Sequence, residues 1–173
     1  MNNKINFNNK TILITGGAGF IGSNLAFYFQ ANFPKSKVTV FDCFRNNETF
    51  QNGNQKSFGH YNNLIGFRGD IICGNINNKD DLSLLNDYKF DVIFHHAAIS
   101  DTRIYDQEII MRTNVNSFYD ILELTKNHNA TNAEKFLADR GILVRGMKVY
   151  GLPNHLRISI GNEKDPTSFV GYE

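Results

Sequence analysis

The residues best placed to do chemistry are a run of glycines and one carboxylate. Thr15-Gly16-Gly17-Ala18-Gly19-Phe20-Ile21-Gly22 spaces Gly16, Gly19 and Gly22 three apart, directly after an apolar β-branched run and at the mouth of a helical pattern. Such a turn needs backbone angles that glycine adopts cheaply, lets a pyrophosphate approach without meeting a Cβ, and aims the unpaired N–H groups of a helix N-terminus at an anion. Asp42 ends the next apolar run, at the distance from the turn where a carboxylate accepts both hydroxyls of an adenosine ribose. Turn and carboxylate together predict a dinucleotide site rather than an ordinary tight connection. Asp42 repels a ribose 2′-phosphate whereas Arg45, three residues on, would pair with one, so the cofactor is NAD or NADP, with the balance toward NAD.

These groups need a scaffold, and the hydrophobic pattern supplies one. A strand is expected over Thr11–Thr15, a helix from Ile21 to Asn32 stopped by Pro34, and a second strand over Lys37–Phe44. Residues 45–64 are polar and aperiodic, which predicts a long loop with at most a short helix. Further strands are expected over Gly66–Cys73 and Phe90–His95, the latter apolar enough for burial on both faces, with a short helix over Asp80–Leu85 between them. A long helix should cover Asp106–Asn127, its Met111, Val115, Phe118 and Leu122 stripe reading as core or as a helix–helix interface. Strands alternating with helices predict an α/β fold: a Rossmann-like (half-Rossmann) parallel sheet with helices on both faces. Asparagine and phenylalanine thin out beyond about residue 130, which marks a boundary near His128–Asn132 and divides the chain into 1–130 and 131–173. In the second part a helix over Asn132–Arg140 precedes strands Ile142–Arg145 and Leu156–Ile160. The turn between them, Tyr150–Asn154, is too short for a crossover, so they should run antiparallel. With a last short helix from Asn162 or Asp165, the part reads as a small α-β-β appendage.

The chain's 173 residues allow one domain of ordinary size, or one plus such an appendage. Its 18 basic and 17 acidic side chains leave a net charge of +1, which provides no field to draw it to nucleic acid or an anionic membrane. Cys43 and Cys73 sit in apolar runs without CxxC spacing and read as reduced core thiols. Met1–Lys10 lacks the apolar stretch of a signal peptide and no run is long enough to span a membrane, so a cytoplasmic location is expected. His95 and His96 end a strand with no third ligand at metal spacing; they read as a polar rim or satisfied core groups, and no metal is expected. Asp101 and Asp106 suit a helix N-cap and a solvated first-turn charge.

Six segments carry a resemblance. TILITGGAGFIGSNLA, VFDCFRNN, SFGHYNNLIGF, GNINN, VIFHHAAISDT and MRTNVNSF, in one register over residues 9–130, resemble the N-terminal NAD(P)-binding part of the extended short-chain dehydrogenases, the NAD-dependent epimerase/dehydratase family, and within it the ADP-glyceromanno-heptose 6-epimerases. The resemblance implies that Gly16, Gly19, Phe20, Ile21 and Gly22 cradle the pyrophosphate. It places Asp42, flanked by Cys43 and Arg45, at the adenosine ribose, and Asn75 and Ile76 at the adenine, Asn75 standing where family members usually carry an aspartate. His96, Ala97 and Ala98 would pass under the cofactor, Ser100, Asp101 and Thr102 would face the sugar, and a family asparagine falls at Thr113 or Asn114. It further implies a sugar-nucleotide substrate; a homo-oligomer is expected separately, with the tail helix and hairpin as the dimerising elements if the chain is a scaffold. The family's chemistry rests on a Ser or Thr after the fifth strand and a Tyr-x-x-x-Lys in which the lysine lowers the tyrosine pKa for proton shuttling. None of the seven tyrosines has a lysine four residues on: Tyr150 is followed there by Asn154, and the serine positions before it would be Arg145 and Gly146. No catalytic residue is therefore assigned.

NAEKFLADRGILVRGMKVYGLPNHLRISIGNEKD resembles instead the C-terminal end of histidinol-phosphate aminotransferases, pyridoxal-phosphate enzymes in which the arginine corresponding to Arg157 binds an anionic substrate group. That family's Schiff-base lysine has no counterpart. The combined expectation is an NAD(P)-binding fragment of a nucleotide-sugar epimerase, fused to an aminotransferase-like tail and short of full activity. The alternatives are an active epimerase of the heptose pathway, a non-catalytic scaffold or recombined chimera, and an aminotransferase fragment.

Overall fold

The computed structural model of the chain describes residues 6–45, 59–101, 104–124, 134–135, 138–139, 145–151 and 156–157. They fall into two units, Met1–Leu124 and Thr125–Glu173.

In the first unit, strands β1 (Thr11–Thr15), β2 (Lys37–Asp42), β3 (Asp70–Cys73) and β4 (Val92–His95) form a parallel sheet in the order β3-β2-β1-β4. β1 pairs with β2 from Thr11↔Lys37 to Thr15↔Phe41 and with β4 from Ile12↔Val92 to Thr15↔His95, so Thr15, Asp42, Cys73 and His95 all end their strands at the same edge. The chain first builds outward from β1 through β2 to β3 and then returns to place β4 on the other side of β1. In open parallel sheets that reversal opens a crevice at the carboxyl ends of the strands, where ligands bind.

Alternation along the strands splits the core between the two faces. Ile12, Ile14, Val38 and Val40 pack with Ala26 and Phe29 of helix α1 (Phe20–Asn32). Leu13 and Phe41 look the other way, onto Leu82 of helix α2 (Lys79–Ser83), Leu85, Phe90 and Ile121. Phe7, Phe29, Phe33 and Phe94 extend the first cluster as a run of rings, Phe7 meeting Phe29 edge-on at 5.1 Å.

Several boundaries differ from expectation for identifiable reasons. The third strand starts at Asp70 rather than Gly66: Gly66 takes a positive φ of 85°, and the Arg68 N–H donates to Gln30 Oε1 on α1 instead of joining the ladder. β4 is half-buried rather than enclosed, because among the described strands it pairs with β1 alone. The long helix is two helices, α3 (Gln107–Met111) and α4 (Ser117–Glu123), separated by a π-helical turn at Arg112–Asn116, and Asp106 is its N-cap, Oδ1 accepting from the Ile109 N–H at 3.2 Å. The extra residue of that turn shifts the helix face: Thr113, Ser117 and Ile121 are buried, while Met111, Val115 and Phe118 are exposed and form no core within this unit. Cys73 is exposed and Cys43 half-buried, both free thiols, so neither is the enclosed core cysteine expected.

In the second unit, β5 (Arg145–Gly146) and β6 (Leu156–Arg157) pair antiparallel, Arg145↔Arg157, with a 3-10 turn at Lys148–Tyr150 closed by Gly151 at φ 77°. Glu134, Lys135 and Ala138 are helical. Asp139 is in a turn; residues 132–133, 136–137 and 140 of the expected helix, residues 142–144, 152–154 and 158–160 of the turn and strands, and the last helix lie outside the described residues. No described helix is long and apolar enough to cross a membrane.

Candidate functional site

The crevice at the β1/β4 reversal is a cavity of about 730 Å³ in the first unit. Its floor is the glycine turn. Gly16 has φ +67° and touches the exit of β4: a Cβ there would come within 2.6 Å of the Ala97 nitrogen. A Cβ on Gly22 would run into the Gly16 carbonyl oxygen and to 2.6 Å from Gly17 Cα, so Gly22 lets helix and turn pack. Gly19 differs, since its nearest neighbour would be the Gly16 oxygen at 3.2 Å. The space over Gly19 is open to the cavity, the cradle that a close-approaching phosphate requires. Gly19 is also the N-cap of α1 and brings no side chain to the helix N–H groups, leaving them available to an anion.

Asp42 closes the β2 side. Its Oδ2 accepts from the Ala18 N–H at 3.0 Å and its Oδ1 from the Phe44 N–H at 2.9 Å, so strand end and glycine turn are held together by the carboxylate. Burial pushes this carboxyl above its ordinary 3.8, against the two N–H bonds that lower it. The 3-10 segment Tyr61–Leu64 braces the turn from outside, the His60 N–H and Asn63 Nδ2 both donating to the Ala18 carbonyl. Beside Asp42, burial and the neighbouring carboxylate raise the Cys43 thiol to about 11, which keeps it protonated and a poor nucleophile.

On the β4 side, Thr15 Oγ1 and His95 Nδ1 share a 2.7 Å hydrogen bond, and the Ala97 N–H donates to the same oxygen at 3.3 Å. Burial and His96 lower the His95 pKa, so the ring is a neutral, satisfied strut between β1 and β4. Among the described residues no group of three or more His, Cys, Asp or Glu could hold a metal.

Of the residues singled out from the sequence, Gly16, Gly19, Phe20, Ile21, Gly22, Asp42, Cys43, Asn75, Ile76, His96, Ala97, Ala98, Ser100 and Thr113 all line this one cavity. Arg45, Asn114 and Asp101 do not line it. Asn114 grips the exit of β4 from behind, Nδ2 donating to the Ile99 carbonyl at 2.9 Å and Oδ1 accepting from its N–H at 2.7 Å. Thr102 lies outside the described residues, and Arg157 belongs to β6 of the other unit. Sequence reasoning did not single out Asn77, Gly59, Ile104 or Ile109, which also line the cavity. Asn77 had a signal in its place beside Asn75, just past the end of β3; Ile109 had none beyond ordinary helix patterning, and Ile104, ahead of the helix, had none.

A family model described as "NAD dependent epimerase/dehydratase family" matches residues 12–166. The ADP-L-glycero-D-manno-heptose-6-epimerase of Brachyspira hyodysenteriae is 32% identical over 113 residues, 65% of this chain and 32% of that protein. Among solved structures, the Helicobacter pylori ADP-L-glycero-D-manno-heptose-6-epimerase superposes with a TM-score of 0.59 at 52% identity, covering 68% of this chain and 36% of that one. The Bacillus anthracis dTDP-glucose 4,6-dehydratase, solved in complex with NAD, does so with a TM-score of 0.52 at 28% identity, covering 68% and 34%. The chain thus spans about a third of the length of these relatives.

Proposed function

The chain belongs to the NAD dependent epimerase/dehydratase family, and from that premise we propose that its first unit binds NAD as the cofactor-holding part of a sugar-nucleotide epimerase of the ADP-heptose type. The observation that carries the reading is the pairing of an open, uncapped glycine turn with Asp42 in one cavity, the two joined by the Ala18 N–H bond to the carboxylate. Gly16–Gly22 would receive the pyrophosphate on backbone N–H groups, Asp42 the adenosine ribose, and Asn75 with Ile76 the adenine. Ala97 and Ala98, small enough to lie flat beneath a ring, would support the other end, with Ser100 toward the sugar. Bound NAD supplies the acceptor for a hydride from the sugar carbon. A proton shuttle is needed beside it, and the sequence offers no Tyr-x-x-x-Lys to act as one. The chain alone should therefore bind the cofactor without turning over substrate at an enzyme's rate.

Titration calorimetry with NAD and NADP, followed by incubation of the NAD-loaded chain with ADP-heptose, tests both halves of this reading. Saturable 1:1 binding of NAD in preference to NADP, with no epimerised sugar, is expected. Absence of binding would remove the cofactor role, and efficient turnover would remove the claim of an incomplete centre.

A further inference from the structure

We propose that Phe44 and Gly59 are positioning residues that clamp the Asp42 carboxylate, so that each of its oxygens presents one free lone pair to a vicinal diol. The proposal rests on the NAD reading above, in which that diol belongs to the adenosine ribose. Phe44 is the anomaly that points to it. Its φ is +50°, in the left-handed region that bulky side chains seldom enter, and backbone outliers of this kind gather at functional sites. The ring holds the conformation in place. Phe44 is 2% exposed, belongs to the core cluster with Val40 and Leu64, and stacks face to face on Tyr61, the centroids 3.8 Å apart and the planes 3° from parallel.

The bent backbone turns the Phe44 N–H back onto Asp42 Oδ1 at 2.9 Å, and the next N–H, that of Arg45, donates to the Gly59 carbonyl at 3.0 Å. Gly59, which lines the cavity, thereby forms the second jaw. A Cβ on it would come within 2.6 Å of Asp42 Oδ1, 2.7 Å of Oδ2 and 2.6 Å of Ala18 Cβ, so only a bare Cα can lie against the carboxylate. The His60 N–H bond to the Ala18 carbonyl, 3.0 Å, ties this jaw to the glycine turn. A carboxylate offers about four lone-pair sites on its two oxygens. The Phe44 N–H takes one on Oδ1 and the Ala18 N–H one on Oδ2, while Gly59 touches both oxygens with carbon and takes none. One site per oxygen is left, which suits two adjacent hydroxyls. A carboxylate free to rotate would lose that match, and fixing it beforehand removes an ordering cost from binding.

The test is calorimetric titration of NAD into the full chain and its variants, with thermal melting of each. Valine fills more of the ring's space than glycine does but resists a positive φ, which glycine adopts freely. Phe44→Val should therefore weaken NAD binding about tenfold, the scale of one lost hydrogen bond to a charged group. Phe44→Gly empties more of the core and should melt lower, yet it should bind NAD more tightly than Phe44→Val. Gly59→Ala should cost at least tenfold as well, because its Cβ drives the carboxylate off its two N–H donors. Since Phe44 acts through Asp42, adding Phe44→Val to Asp42→Ala should cost no further affinity. Affinity that simply follows melting temperature across the Phe44 variants, wild-type affinity in Gly59→Ala, or a full further loss in the Asp42→Ala background would each overturn the proposal. Should the Phe44 variants fail to fold, Gly59→Ala decides it. A wild-type chain that fails to bind NAD would instead overturn the functional reading beneath it.

Discussion

Asp42 holds two positions at once, since the oxygens expected to meet ribose hydroxyls already accept from Ala18 and Phe44. Only the ionised carboxylate can serve both, and burial has moved its pKa upward. NAD affinity should accordingly fall as the pH drops toward that raised pKa, earlier than for an ordinary aspartate, and level off above it. Asp42→Asn should bind more weakly and lose this dependence, which calorimetry across the acidic range checks. The glycines separate in the same way. Gly22→Ala should destabilise the fold, because its Cβ meets turn backbone, and a lowered melting temperature will show it. Gly19→Val should leave the melting temperature little changed and abolish NAD binding, because its side chain would enter the space kept for phosphate. Both glycine positions and Asp42 were legible in the sequence because their chemistry is local: a turn, a helix start and a strand end lie within a few residues of one another. The Asn77–Thr113 bond joins residues 36 apart, and spacing along a chain carries no sign of such a pair.

At the scale of the element, the π turn between α3 and α4 decides which side chains face inward. Periodicity located the helix and Asp106 its start, but the inserted residue depends on bonds to distant loops, Asn114 to Ile99 and Thr113 to Asn77, and so was invisible. It is the reason the Met111, Val115 and Phe118 stripe faces outward rather than forming core. Ser117 satisfies the Thr113 carbonyl at the turn from a fully buried position. Ser117→Ala should therefore lower stability by about 1 kcal/mol, a drop of several degrees in melting temperature for a unit of this size. Ser117→Thr, which keeps the hydroxyl, should lose less. The strands were legible where β-branched runs alternate, as in Thr11–Thr15. They were not where tertiary bonds intervene, as at Arg68, whose N–H is taken by Gln30.

In the first unit, the order β3-β2-β1-β4 puts the reversal of strand order beside the glycine turn, and so gathers residues from Gly16 to Thr113 around one cavity. Parallel alternation was readable from the sequence; the depth of the crevice and the position of Asn77 in it required the packed sheet. The central claim, that the glycine turn and Asp42 form an NAD site, meets its most direct test in one calorimetric comparison of NAD binding by the full chain and by its Gly19→Val variant. The account predicts saturable 1:1 binding by the first and none by a second that melts at the same temperature; equal affinity in both would contradict it.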